Sequence, residues 1–236
     1  MFSKQTMKRL ILFDIDGTLL ATRGGAKRAF HRAMLEVYGT AGPIETHPFD
    51  GKTDPQIVRE LLRLDGFSDS AIDERMGALW HVYLRELEQE LLAASPRVYP
   101  GVEDVLHALG ERRDHAHVAL LTGNIVGGAQ IKLRSAALDR HFDFDAGAFG
   151  SDCERRDGLP EIAVRRALER TGIRFQRRQV VIIGDTPNDV TCGRSLDVFT
   201  IAVATGRYSR DQLAAAGAHV VLDDLSDTER VLELLA

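Results

Sequence analysis

The residues Leu-Ile-Leu-Phe-Asp-Ile-Asp-Gly-Thr, at positions 10–18, carry the strongest structural signal in this chain. The first four are all apolar, which is typical of a strand that is buried on both faces of a parallel sheet. Asp14 and Asp16 follow at once, so two carboxylates stand at the carboxyl end of the predicted strand. In open α/β sheets, this end of the strands is where ligands bind.

The same pattern, a short apolar run followed by an amphipathic helix, recurs along the chain. Further strands are predicted at residues 118–122, 144–149, 180–184, 199–204 and 219–222. Helices are predicted at residues 102–112, 127–138, 160–171, 187–196 and 210–216. Such alternation requires crossover connections, which are right-handed. It therefore predicts an α/β fold with a doubly wound parallel sheet.

Residues 20–96 interrupt this alternation. They contain at least three helix patterns and no convincing strand, and the longest pattern places apolar side chains every three or four positions over residues 72–91. Pro96 marks the end of the segment because proline cannot continue a helix. We therefore expect a helical insert that hangs over the ligand-binding edge of the sheet. The predicted domains are residues 1–19 with 97–236, and residues 20–96.

The composition excludes several classes of protein. The 236 residues are 44% hydrophobic and 28% charged, unlike a collagen or a disordered chain. A net charge of −5 without a basic block argues against nucleic acid as a partner. Apolar runs fall short of a secretory signal or a membrane span, and two cysteines form no disulfide framework. We expect a cytoplasmic protein that binds neither nucleic acid nor a membrane.

A second acidic motif, Gly-Asp-Thr-Pro-Asn-Asp at residues 184–189, follows another predicted strand and opens a helix. Asp185 lies at the strand end and Asp189 one helical turn further on. Alone, the motif could be helix capping, since carboxylates favour helix N-termini. Together with Asp14 and Asp16 it places four carboxylates at strand-to-helix crossings. Carboxylates, phosphate and water are the ligands that Mg²⁺ prefers.

Two further signals concern anion binding. Thr-Gly-Asn at residues 122–124 follows a predicted strand, and a hydroxyl with free backbone N–H groups at a helix N-terminus forms an anion site. A polar turn is the alternative. Arg155 and Arg156 lie in the loop after the next predicted strand. Guanidinium groups match phosphate oxygens with paired hydrogen bonds, although arginines are also common on surfaces.

These motifs, in this order, resemble the four motifs of the haloacid dehalogenase-like hydrolase superfamily. The resemblance runs from Leu10 to about Gly206, and the insert resembles that family's small helical (C1-type) cap. Gly-Lys-Thr-Asp at residues 51–54 resembles a cap loop of the phosphoglycolate phosphatase-like members. The resemblance implies a Rossmann-like core and a Mg²⁺-dependent phosphatase. Its partner would be a small phosphorylated metabolite, with phosphoglycolate as the substrate by resemblance.

The resemblance also implies roles for individual residues. Asp14 would attack phosphorus and carry the phosphoryl group as an aspartyl phosphate. Asp16 would protonate the leaving oxygen and then deprotonate the attacking water. Mg²⁺ would be held by Asp14, the backbone carbonyl of Asp16 and Asp185. Asp189 would orient a ligand of the metal from behind.

The phosphoryl oxygens would bind Thr122 and the N–H of Gly123. Many relatives have a lysine in the third motif, whereas this loop offers Arg155 and Arg156, and the spacing favours Arg156. Lys132 is a second candidate, but its position within a helix pattern predicts a solvated surface lysine.

Several alternatives stay open. A β-phosphoglucomutase-like sugar phosphomutase would have almost the same motifs. A phosphonate hydrolase needs an insert lysine, Lys52 or Lys27, to form a Schiff base. Lys52 is also a candidate substrate contact, or an exposed loop lysine. A dehalogenase generally lacks the second acid, Asp16, and a non-catalytic binding module usually lacks one of the motif carboxylates, all of which are present here.

Overall fold

The computed structural model describes residues 8–236, so the first seven residues of the predicted core domain lie outside it. The strands are β1 (Arg9–Phe13), β2 (Leu20–Ala21), β3 (Arg97–Val98), β4 (Ala116–Thr122), β5 (Ala148–Phe149), β6 (Val180–Gly184), β7 (Phe199–Val203) and β8 (Val220–Leu222). The helices are α1 (Gly25–Tyr38), α2 (Asp54–Leu64), α3 (Asp69–Ala93), α4 (Val102–Gly110), α5 (Val126–Ser135), α6 (Leu159–Thr171), α7 (Pro187–Cys192), α8 (Arg210–Ala215) and α9 (Thr228–Leu234).

Within the described residues, a parallel six-stranded sheet has the order β5-β4-β1-β6-β7-β8. The chain builds outward from β1 through β4 to β5, and then returns to add β6, β7 and β8 on the other side. The predicted α/β fold with a doubly wound parallel sheet is confirmed. Because the strand order reverses between β1 and β6, the loops after these strands diverge and leave a crevice at their carboxyl ends.

The apolar residues of β1 explain why this strand lies at the centre of the sheet. Every side chain from Leu10 to Phe13 is fully buried. Ile11 and Phe13 pack against helices α4, α5 and α9 on one face, and Leu10 and Leu12 pack against α6 on the other. Since successive side chains of a strand point to opposite faces, a continuous apolar run is what two covered faces require.

The structure differs from the sequence prediction in several elements of the core. The strand predicted at residues 144–149 shortens to β5, because Phe144–Ala146 form a 3₁₀ turn whose start is capped by the side chain of Asp143. The helix predicted at residues 187–196 ends with α7 and continues as a 3₁₀ turn. Helix α9 was not predicted. It is capped by Asp227 and buries Val231.

The insert between β1 and β4 contains the long helices α1, α2 and α3. They share a cluster of buried side chains that includes Phe30, Met34, Leu61 and Tyr83. The two ends of the insert pair as the antiparallel strands β2 and β3, which the sequence did not predict. The two connections between the insert and the rest of the protein therefore lie side by side. Over the described residues, no helix has both the length and the apolar character to span a membrane.

The loop that precedes α2 joins the insert to the edge of the sheet. The backbone N–H of Asp54 donates to the carbonyl of Gly123 at 2.7 Å. The Asp54 carboxylate in turn accepts the N–H of Ile125 at 2.8 Å. The hydroxyl of Thr53 donates to the carbonyl of Glu154 at 2.5 Å. These bonds fix the N-terminus of α2 against the loops that follow β4 and β5.

Gly101, between β3 and α4, tests how tightly the start of α4 packs against the segment between β8 and α9. Its φ is +78°, and a Cβ there would lie 1.9 Å from the carbonyl oxygen of Leu225. Gly172, which ends α6, has a similar φ of +71° but faces open space. Gly172→Ala should cost about 1–2 kcal/mol of unfolding free energy from backbone strain alone. Gly101→Ala should cost at least about 2 kcal/mol more, because backbone atoms must move. Equal losses in urea unfolding would contradict this packing.

Asp54 gives a prediction for the pH dependence of stability. Burial raises the pKa of Asp54 to about 7, whereas an unfolded aspartate has a pKa of about 3.9. Between these values the folded chain binds more protons than the unfolded chain, so the free energy of unfolding falls as the pH rises. Asp54→Asn removes this contribution, while its amide oxygen can still accept the N–H of Ile125.

The difference in unfolding free energy between the variant and the wild type should therefore shift in favour of Asp54→Asn by about 2 kcal/mol between pH 5 and pH 8. Urea unfolding at both pH values, with a chelator present, measures this shift. Titrating groups that do not interact with Asp54 act equally in both proteins and cancel. If the unfolding free energies of the variant and the wild type change equally with pH, Asp54 does not titrate with a raised pKa.

Candidate active site

The carboxyl ends of β1 and β6 bring a cluster of carboxylates together. One oxygen from each of Asp14, Asp185 and Asp189 lies within 4.8 Å of the others, and all three side chains are buried. Burial raises the pKa of Asp14 to about 6 even though Arg156 opposes the shift. Burial, with Asp189 and Asp14, also raises the pKa of Asp185 well above its ordinary value. A buried group of carboxylates fits a divalent cation, which would relieve this repulsion.

Glycines make room for the carboxylate of Asp185. A Cβ at Gly17 would lie 2.2 Å from its Oδ2, and a Cβ at Gly206 would lie 1.8 Å from the same atom. The hydroxyl of Thr18 donates to Asp185 Oδ1 at 3.1 Å. The hydroxyl of Thr205 donates to the carbonyl of Gly17 at 2.5 Å. The turn after β1 is therefore built around this side chain.

Asp189 is held by the start of α7. Its Oδ2 accepts both the N–H of Thr186, at 2.9 Å, and the hydroxyl of Thr186, at 2.7 Å. Its Oδ1 accepts a hydrogen bond from Arg156, whose guanidinium also lies 3.2 Å from Asp14 Oδ1. Both oxygens of Asp189 are thus bound by protein groups, which suits a residue that orients its neighbours.

The structure places Arg156, and not Arg155, in this site. Arg155 is exposed and pairs with Asp157 at 2.6 Å. Arg156 is buried, and its Nε has no hydrogen-bond partner among the described residues. Although burial opposes its charge, Asp189 and Asp14 raise the pKa of Arg156 above its ordinary value. It is therefore a permanent cation with a free donor beside the carboxylates.

The expectation that Lys132 is a solvated surface lysine is wrong. Its side chain is only 4% exposed. Its Nζ donates to Asp16 Oδ2 at 2.6 Å and to Asn124 Oδ1 at 2.5 Å. The amide of Asn124 donates to the same oxygen of Asp16 at 2.8 Å. Lys132 therefore holds the second acid of the first motif in place.

The position of Lys132 follows from the orientation of α5. The buried side of this helix carries Gly128, Ala129, Lys132 and Leu133, so the lysine lies four residues beyond the glycine and three beyond the alanine that face inward. Helix α5 begins at the sheet edge, and that side faces the site. The small residues Gly128 and Ala129 indicate the side of α5 that packs closely against the rest of the protein, and from this side the inward direction of Lys132 could have been predicted.

Thr122 and Gly123, the predicted anion site, lie at the end of β4 and line the crevice. Thr122 is fully buried, and its hydroxyl accepts a hydrogen bond from the Asn124 side chain at 2.8 Å. A Cβ at Gly123 would lie 2.0 Å from the carbonyl oxygen of Lys52. The close approach of the insert to this loop therefore requires glycine.

Lys52 lines the cavity between the insert and the sheet, but its ammonium group is bound within the insert. Its Nζ donates to Glu60 at 2.5 Å and lies 3.3 Å from Nε2 of His47. The ammonium group is thus neutralised within the insert.

A cavity of about 550 Å³ joins the predicted site residues. Those that line it are Asp14, Asp16, Lys52, Thr122, Gly123, Arg156 and Asp185. The structure brings all of them to the crevice between the sheet and the insert, and Asp189 lies behind it. Their individual roles stay predictions.

Asp54 is a residue that sequence reasoning missed. Thr53 and Pro55 indicate a helix start, and the hydroxyl of Thr53 does accept the N–H of Gln56. An acidic residue next to such a cap is read as part of the cap. Nothing in the local sequence shows that this helix end faces the loop after β4 and lines the cavity.

Comparison with known proteins agrees with this geometry. The chain is 29% identical to the phosphoglycolate phosphatase of Nitrosospira multiformis, over 95% of this chain and 96% of that protein. It is 28% identical to the Dickeya dadantii protein named "Probable phosphatase IndB", over 94% and 92% of the two chains. The solved structure of a hydrolase from Pseudomonas syringae shares the fold, with a TM-score of 0.72 at 22% identity over 97% of this chain and 100% of that one.

The family model for haloacid dehalogenase-like hydrolases matches residues 11–203. This range begins within β1 and ends with β7, so it includes all four motifs and the helical insert. The protein belongs to the haloacid dehalogenase-like hydrolase family.

Proposed function

We propose that the protein is a phosphatase that uses Mg²⁺ to hydrolyse a small phosphate monoester through an aspartyl phosphate on Asp14. The observation that carries the proposal is the buried carboxylate cluster at the ends of β1 and β6, with Arg156 and Lys132 beside it in one cavity. The phosphatase names of the Nitrosospira and Dickeya relatives support the same reaction class.

The donor set fits the metal. Asp14, Asp185 and the backbone carbonyl of Asp16 would hold Mg²⁺, with Asp189 orienting them from behind. When bound, the ion supplies positive charge that offsets the carboxylates and the phosphoryl oxygens. The oxygen-only character of these groups favours Mg²⁺ over softer transition metals.

The protein's own residues can carry both steps of the reaction. A carboxylate oxygen of Asp14 attacks phosphorus, the bond from phosphorus to the ester oxygen breaks, and protonated Asp16 gives its proton to the departing alcohol. Water then attacks the aspartyl phosphate, and Asp16 takes its proton as the bond between phosphorus and Asp14 oxygen breaks. Inorganic phosphate leaves and both acids return to their first state.

The groups around the reacting atoms have complementary tasks. Lys132 and Asn124 hold the carboxyl group of Asp16 through its Oδ2. The Thr122 hydroxyl, the Gly123 N–H and the Arg156 guanidinium would bind the phosphoryl oxygens, where negative charge concentrates during transfer. We also propose that residues 20–96 act as a cap domain that excludes water from the closed cavity.

Two alternatives of the same family are not favoured. A phosphonate hydrolase needs a free insert lysine, yet Lys52 is paired with Glu60 and Lys27 with Glu45. The presence of Asp16 in the site, held by Lys132, argues against a dehalogenase.

Asp14→Asn tests the proposed reaction. The amide cannot act as the nucleophile, so turnover of p-nitrophenyl phosphate with Mg²⁺ should fall by at least about a thousandfold. Asp157→Asn is the matched control, because Asp157 is an exposed carboxylate whose ion-pair partner within residues 8–236 is Arg155 alone, and it should keep wild-type turnover. Circular dichroism checks that both variants fold. Wild-type turnover by Asp14→Asn would remove Asp14 from the nucleophilic role.

Lys132→Met tests the role of the lysine that was expected at the surface and is buried beside Asp16. Methionine keeps the length and fills the buried space, but it cannot hold Asp16. We expect kcat for p-nitrophenyl phosphate to fall about tenfold or more. The control is Arg155→Met, which removes an exposed cation from the neighbouring loop and should leave kcat unchanged. If both variants turn over at the wild-type rate, Lys132 has only a structural role.

A further inference from the structure

The part of the cavity that the insert contributes is largely aromatic. Phe30, Phe49, Ile57 and Tyr83 line it. The ring centroids of Phe30 and Tyr83 are 4.1 Å apart, and those of Phe30 and Phe49 are 5.9 Å apart in an edge-to-face arrangement. Such a wall favours a flat apolar group, which gains from burial and from contact with the ring faces.

The hydroxyl of Tyr83 lacks a partner inside this wall. Tyr83 is fully buried, and its hydroxyl has no hydrogen-bond partner among the described residues. It lies 3.8 Å from where a Cβ of Gly128 would stand, next to the start of α5. Burial, with Asp54 and Asp16 nearby, raises the pKa of Tyr83 well above its ordinary value. The group is therefore a neutral hydroxyl, and a buried hydroxyl without a partner is unfavourable until a ligand supplies one.

The cations at the insert side of the cavity already have partners. Each of the lining residues Lys27, Lys52 and Arg207 donates to an acidic residue. The pairs are Lys27 with the Glu45 carbonyl at 2.8 Å, Lys52 with the Glu60 carboxylate at 2.5 Å and Arg207 with the Asp50 carboxylate at 2.7 Å. Among the lining residues that the structure describes, none offers an unpaired cation to a second anionic group on the substrate. A carboxylate buried there would be costly.

We propose that this site selects phosphate monoesters whose alcohol combines a flat apolar ring with a hydroxyl or carbonyl, as a nucleoside does, over esters of small anionic alcohols. The inference rests on the proposed function, because it concerns the leaving group of that reaction. The ring packs against Phe30 and Phe49, the polar group bonds to the Tyr83 hydroxyl, and the phosphoryl group lies at Asp14. A cavity of about 550 Å³ is of the size that small-molecule sites have.

The test compares kcat/KM for phosphate release, with Mg²⁺ present, from nucleotide, ring-only and anionic esters. The probes are uridine and adenosine 5′-monophosphates, benzyl phosphate, and phosphoglycolate. We expect the better nucleotide to exceed phosphoglycolate by tenfold or more, with benzyl phosphate between them. A value for phosphoglycolate equal to or above those of the ring-bearing esters overturns the proposal.

Two variants separate the ring from the hydroxyl. Tyr83→Phe should lower kcat/KM for the nucleotide about tenfold and leave benzyl phosphate within about twofold, since only the nucleotide can bond to the hydroxyl. Its control is Tyr38→Phe, whose hydroxyl donates to the Ile72 carbonyl outside the cavity. Equal losses on the two esters would overturn the assignment of the Tyr83 hydroxyl.

Phe49→Ala covers the case in which the buried Tyr83 variant fails to fold, because Phe49 is only half-buried. It should lower kcat/KM for both ring-bearing esters and not for phosphoglycolate. Its control is Phe67→Ala, which removes a half-buried ring of the insert that packs on Tyr38. Uniform losses on all three classes of ester would contradict the proposed wall.

The outcome also separates this inference from the proposed function. If wild-type protein hydrolyses p-nitrophenyl phosphate but prefers phosphoglycolate, only the substrate class is wrong. If it hydrolyses no ester at all, the phosphatase proposal fails and this inference fails with it.

Discussion

Electrostatic repulsion among buried carboxylates is the constraint on which the site depends. Asp14 and Asp185 come from chain segments far apart in sequence, and the pairing of β1 with β6 places them side by side. Burial amplifies their repulsion because little solvent screens it. Burial is the main cause of the raised pKa of Asp14 and of that of Asp185, and the charge of Asp189 raises both further. A bound divalent cation would offset this repulsion and leave Asp14, the proposed nucleophile, ionised.

The other charges of the crevice are arranged around that cluster. Arg156 lies between Asp14 and Asp189, whereas Lys132 serves the separate carboxyl group of Asp16. Asp14 and Asp189 share Arg156, whereas Asp16 has Lys132. The proposed nucleophile and the proposed acid–base group are therefore paired with different cations. The insert lies over this arrangement, and Asp54 joins it to the loop after β4. In the proposed reaction the aromatic wall of the insert, and not a further cation, would face the leaving group.

Much of the fold and of the carboxylate cluster could be predicted from the sequence, because both depend on local signals. A continuous apolar run marks a doubly covered strand, and acidic residues directly after it must lie at the carboxyl edge. Lys132 could not be placed in this way, since its direction depends on which side of α5 meets the site. Asp54 was missed for the same kind of reason. Its helix looks like an ordinary capped helix until the insert is folded back over the sheet.

Calorimetric titration of the wild-type chain with Mg²⁺ at pH 7 addresses the carboxylate cluster itself, independently of any substrate. We predict that one ion binds per chain and that more protons are released on binding as the pH is lowered from 7 towards 6, because burial raises the pKa of Asp14 to about 6. Asp157→Asn should bind in the same way, and Asp185→Asn should not bind measurably. Absence of binding to the wild type, or equal binding to Asp185→Asn, would contradict the metal site and the reaction built on it.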